Sequence, residues 1–179
     1  MSIFSPLPSG PLGRLGLYLG SHQAGAAVAM VTAERARQVE PGSELGRALA
    51  TFLDELEEDR EVVRDAQHRL GVAPGRAGRL LVSGTDAARR ALRTMVTARR
   101  TPLTRVAELE LLVVGVTGKL RLWEVLGDLA DDEGALTDID WEALQARALG
   151  QREVLVAHHR QACREAFAVP GCRSGSQTS

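Results

Sequence analysis

The side chain that stands out for its chemistry is Lys119, set in the apolar stretch VVGVTGKLRLW (residues 113–123), because it is the only lysine among 179 residues. An ammonium taken out of water has a lowered pKa and can serve as a Schiff-base or general-base amine. It can equally serve as the internal counter-ion of a carboxylate. Placing the surrounding segment on a helical wheel puts Glu110, Thr117, Arg121 and Glu124 on one wet face, with Lys119 and Glu108 roughly opposite, in line with Leu112, Gly115 and Leu126. Lys119 and Glu108 are eleven residues apart, about 16 Å along a helix axis, so each needs a partner on another helix.

Further polar residues share apolar faces elsewhere. In LGRALATFLDELEEDREVVRDAQHRL, Leu45, Leu49, Phe52, Leu56, Val63 and Leu70 recur at spacings of three and four apart from the gaps that Asp59 and Ala66 fill, so Asp59 stands in their row with Glu55 at its edge. Asp59 is therefore the expected partner of Lys119. His22 shares a face with Leu15, Leu19, Ala26, Ala29 and Ala33. Towards the C-terminus, Arg152 and His159 fall near the middle of an apolar arc with Gln151 and His158 at one edge, and a shift of the arc's centre exchanges the two pairs. The expected buried polar network is His22, Asp59, Lys119, Glu108, Gln151 and Arg152.

Side chains converging from several helices also raise metal chemistry. A ferritin-like dimetal site takes a Glu from each of two helices and Glu-x-x-His from each of the other two. The chain contains no Glu-x-x-His, and the nearest match, Asp65-x-x-His68, falls on a wet face. No cofactor is therefore expected. The alternative is iron, manganese or zinc held by His22, Glu55, Asp59, Glu108, His158 and His159.

The elements that must position these residues read as four long helices, with almost nothing that favours strand. The first runs from roughly residue 14 to 38 and stops before Pro41-Gly42; the second is capped by Ser43 and ends at Leu70-Gly71. The third starts at Thr101-Pro102 and reaches about Ala130; the fourth is capped by Asp138 or Thr137 and ends before Pro170-Gly171. Two connections are short, which predicts antiparallel hairpins, whereas residues 71 to 101 form a long crossover with its own amphipathic piece, TDAARRALRTMV. That pattern predicts an all-α, ferritin-like four-helix bundle in up-down-down-up order. Residues 1–13 are expected to be an N-terminal extension, 14–169 the single bundle domain and 170–179 a disordered tail. Gly115-x-x-Gly118 reads as a site of close helix packing, and Trp123 and Trp141 as packing residues.

Composition bounds the function. The formal charge is −1 and aromatics make up 3%. The two cysteines, Cys163 and Cys172, form no Cys-x-x-Cys, so neither a disulfide framework nor a thiolate zinc site is indicated. The opening residues lack a basic n-region and are broken by Pro6, Pro8 and Pro11, and no apolar run has the length of a membrane span, so a cytoplasmic protein is expected. The crossover is the exception to charge balance. Arg76, Arg79, Arg89, Arg90, Arg93, Arg99 and Arg100 face one acid, Asp86, giving residues 75–100 a charge of +6 and the rest of the chain −7. Such an arm can bind nucleic acid or anionic lipid; the preferred reading lays it along the acidic LDELEEDRE of the chain itself.

YLGSHQAGAAVA, EEDRE and ELELLVVGVTGKLRLWEVL together resemble a family of all-helical actinobacterial proteins of about 170 residues. The resemblance implies a helical bundle and, since one fold hosts many functions, no activity. The expected function is that of a non-enzymatic binding or scaffold protein for an unidentified protein partner, or for a second copy docked through an apolar helix face. The alternatives are a divergent ferritin-like metal-dependent oxidoreductase and an anionic-surface or nucleic-acid binder acting through the arginine arm.

Overall fold

The computed structural model describes residues 10–72 and 101–168, the side chains of 131–133 excepted. Within them the chain forms four helices and no strand: α1 (Pro11–Arg37), α2 (Glu44–Arg69), α3 (Pro102–Glu133) and α4 (Trp141–Ala166). Among the described residues no helix is long and apolar enough to cross a membrane. The arginine arm, the crossover and the expected tail lie outside the described residues.

The helix ends follow local chemistry. Ser43 caps α2 by accepting from the Gly46 N–H at 3.0 Å, satisfying a donor with no partner inside the helix. Thr101 and Thr104 cap α3 reciprocally, with Pro102 in its first turn. Gly134 stops α3 in a left-handed conformation (φ 65°) that a residue with a Cβ adopts at a cost, so the helix runs three residues past the expected Ala130. The start of α4 is a correction. Neither Asp138 nor Thr137 caps it; Asp140 does, accepting from the Ala143 N–H at 2.9 Å. Asp138 is engaged elsewhere, with Arg69 at the end of α2 at 2.5 Å, and the Trp141 indole holds the preceding turn by donating to the Leu136 carbonyl at 3.2 Å. The first helix likewise begins earlier than expected, at Pro11, whose missing N–H is no loss in a first turn.

Helix α1 packs against α2 and α3, α3 packs most extensively against α4, and α2 meets α4 over a smaller area. Polar contacts mark the levels at which they meet. Gln23 of α1 donates to Gln67 of α2 at 2.8 Å, Arg35 of α1 pairs with Glu108 of α3 at 3.2 Å, and Arg105 of α3 reaches Glu165 of α4 at 3.2 Å. The core between them is built on Leu49, Phe52, Leu109, Leu112, Trp123 and Leu126, joined by the buried alanines Ala29, Ala33 and Ala36 of α1. Trp123 is fully buried, with the Trp141 ring centroid 6.1 Å from its own, so both tryptophans sit in the α3–α4 seam.

Candidate functional site

Lys119 lies halfway along α3 and is 8% exposed. Its Nζ donates to Asp59 Oδ2 of α2 at 2.5 Å and to the Gln151 side-chain carbonyl of α4. The helices explain the convergence: Asp59 occupies a stripe position of α2, and Gln151 follows Leu144 and Ala148 and precedes Leu155 on the buried face of α4. The other carboxylate oxygen of Asp59 accepts from Arg147 Nη2, and Arg147 Nη1 reaches Glu58 at 2.6 Å. The Gln151 amide donates to Glu55 at 2.6 Å. The Phe52 ring centroid is 5.8 Å from Lys119 Nζ, close enough for cation–π attraction. Two cations and three carboxylates from three helices thus share one network, and of its buried side-chain N and O atoms Arg147 Nε is the exception without a partner among the described residues.

The network sets the ionisation of the lysine. Burial pushes the Lys119 pKa below the usual lysine value, outweighing the attraction of Asp59 that acts the other way. Replacing such a pair by apolar groups is often neutral, whereas removing one partner is costly.

Beside the network lies a cavity of about 220 Å³ between α1, α2 and α3. Its wall is mostly apolar, with Phe52, Leu56, Val63 and Val116 among its lining residues. Lys119 and Asp59 border it, and so does His22. The His22 ring packs edge-on against Tyr18 at 4.6 Å between centroids, and burial holds its pKa below the usual 6.5. Gly25 and Gly115 border the cavity where both are exposed, so it reaches the surface there. A Cβ at either position would meet nothing within 4 Å. Close helix packing at Gly115 is thus a correction: the absent side chains widen a space, although each helix-interior glycine is about 1 kcal/mol worse than alanine. At Gly118 a Cβ would lie 3.9 Å from His22 Cε1, an ordinary contact.

The expected residues separate into different places. Lys119, Asp59 and Gln151 meet, and Glu55 joins them through Gln151. His22 borders the same cavity, but no hydrogen bond joins it to Asp59 or Lys119 among the described residues. Glu108 is buried but belongs to the α1–α3 seam, paired with Arg35. Arg152 is a correction: it is exposed, because the buried arc of α4 is centred on Leu144, Ala148 and Leu155. His158 lines a polar groove with Glu40, Arg105 and Glu165, while the His159 ring sits 3.6 Å from Cys163 Sγ one turn along α4. Among the described residues no three His, Cys, Asp or Glu side chains come together in a way that could hold a metal ion.

Sequence reasoning missed Arg147 and the Gln23–Gln67 pair. The signal for Arg147 was present: it stands one turn before Gln151, so centring the arc on the buried leucines brings both onto the face towards α2. Comparison with protein-family models, curated proteins and solved structures finds no match to this chain.

Proposed function

We propose that this chain is a non-enzymatic helical-bundle binding protein in which the Lys119–Asp59–Arg147–Gln151 network is structural. The observation that carries the reading is the pairing of both Asp59 oxygens with cations. One oxygen accepts from Lys119 and the other from Arg147. A metal at Asp59 would sit against both an ammonium and a guanidinium, and a protonated Schiff base at Lys119 would keep one N–H for two acceptors, Asp59 and Gln151. The binding role is supported by the preformed cavity beside the network, since ligand sites of bundles lie between facing helices.

The topology that suits this reading is ferritin-like, up-down-down-up. The middle of α1 meets late α2 at Gln23–Gln67 after a short turn, late α1 meets early α3 at Arg35–Glu108, and early α3 meets late α4 at Arg105–Glu165. Each of these pairs then runs antiparallel, and α2 and α3 run the same way.

The test is elemental analysis of protein made in metal-replete medium and purified without chelator or immobilised nickel. The expected result is iron, manganese and zinc at background. Near-stoichiometric metal that disappears in Asp59→Leu and Glu55→Gln would overturn the proposal in favour of a metal-dependent oxidoreductase.

A further inference from the structure

We propose that the cavity between α1, α2 and α3 is a binding site for a small, uncharged, one- or two-ring molecule that sets a single polar group against His22. The inference rests on the reading of the bundle as a binding protein and names the class of molecule bound.

Size comes first. Protein interiors contain few voids larger than a water molecule, and an engineered cavity of about 150 Å³ with aliphatic and aromatic walls takes up benzene. The cavity here, at about 220 Å³, is larger and reaches the surface beside Gly25 and Gly115. Neither glycine brings a neighbour close, since nothing stands within 4 Å of a Cβ built on either.

Charge follows from the partners of the lining residues. Lys119 and Asp59 neutralise each other, and Arg60 is engaged by Glu57 at 2.6 Å and by the Met30 sulfur. A charged ligand would find no free counter-ion and would lose its hydration uncompensated. The Ser21 hydroxyl donates to the Tyr18 carbonyl and the Gln23 amide to Gln67. His22 and Trp123 remain as the lining side chains whose ring nitrogens have no hydrogen-bond partner among the described residues, and of the two the indole can only donate. An imidazole kept neutral by burial presents one donor and one acceptor, which suits a phenol or alcohol hydroxyl. The aromatic walls, Phe52 and Trp123, favour a ring as the body of the molecule.

The probes are 4-methylphenol, toluene and 4-methylbenzoate, titrated into the metal-free full chain with calorimetry and tryptophan fluorescence as readouts. The expected result is saturable binding of the two neutral probes, severalfold tighter for 4-methylphenol, and none for 4-methylbenzoate. His22→Phe should bring the neutral probes level, and Ala26→Leu should abolish both by filling the cavity. Should Ala26→Leu fail to reach wild-type helicity, Gly118→Val fills the same space beside His22. No saturable binding of either neutral probe would overturn the proposal. So would equal binding of the benzoate, or affinity unchanged in a folded filling variant. Because the protein titrated is free of metal, failure here is distinct from failure of the structural-network reading, which the metal content decides.

Discussion

Lys119 of α3 and Asp59 of α2 stand 2.5 Å apart, sixty residues apart in sequence, and the carboxylate also holds Arg147 of α4 on its second oxygen. One acid thus serves two cations, and the two ends of the Lys119 pair are not equivalent. Lys119→Met leaves Asp59 with Arg147. Asp59→Leu leaves Lys119 and Arg147 facing each other without their shared carboxylate. Breaking a buried pair costs about 3–5 kcal/mol, so Lys119→Met should fall near the lower end and Asp59→Leu near or above the upper. The double variant should recover much of the loss. Urea melts of the cycle decide it, and losses that simply add would show that the two residues are not coupled.

Gly46 and Gly115 should respond oppositely to the same substitution. A Cβ at Gly46 would lie 2.3 Å from the Glu40 carbonyl oxygen and 2.7 Å from that of Pro41, backbone atoms of the turn between α1 and α2. That turn cannot retreat without unseating the Ser43 cap. Gly46→Ala should therefore destabilise by about 1–3 kcal/mol, as overpacking does. Gly115→Ala meets open space and should stabilise by up to about 1 kcal/mol through helix propensity alone. Thermal midpoints of the two variants against wild type test the contrast, and a stable Gly46→Ala would mean that the turn is more yielding than its packing implies.

What could be read in the sequence depended on how cleanly each helix separates its faces. Helix α2 alternates leucines with charges, so Asp59 was visible as a carboxylate in the core row, and the solitary lysine opposite a wet face was visible on α3. Helix α4 was not legible in the same way. Leu149 and Val154 are 42% and 46% exposed, so apolar residues also stand outside the buried face of this helix, and the expected arc was centred one step off, near Arg152. The same shift hid Arg147. Glu108 could be read as needing a partner on another helix, but naming Arg35 required knowing which level of α1 meets the start of α3. The cavity had no sequence signal of its own, because glycine at 115 and 118 serves close packing and open space alike, and only the position of neighbouring atoms separates the two.

The stability of the chain should carry a signature of His22. Burial lowers its pKa in the folded state, so the unfolded chain takes up the proton first as pH falls. Stability then declines from about the usual 6.5 downward through the lowered folded value, and is constant above that window. In His22→Phe this component is absent. The difference in urea midpoint between wild type and variant should shift against the wild type as pH drops from 7.5 to 5.5, with His68, His158 and His159 common to both. Asp59, Lys119 and Arg60 line the cavity in either protein, and Tyr18 packs against the ring at position 22. A shift in favour of the wild type would mean that a carboxylate reaches the imidazolium.

The neighbours Gln151 and Arg152 give the sharpest local test, because one step along α4 passes from interior to surface. Gln151 accepts from Lys119 and donates to Glu55. In Gln151→Met the ammonium keeps Asp59 but loses its second acceptor, while Glu55, only half-buried, can turn to water. The penalty therefore falls on Lys119, and a lost hydrogen bond to a buried charge costs about 1.5–3 kcal/mol. Arg152→Ala, an exposed site, should remain within about 0.5 kcal/mol of wild type. Denaturant melts of the two single variants read the difference directly. Equal and small effects would remove Gln151 from the network, whereas a large loss at Arg152 would turn α4 by one residue and place the guanidinium against α2.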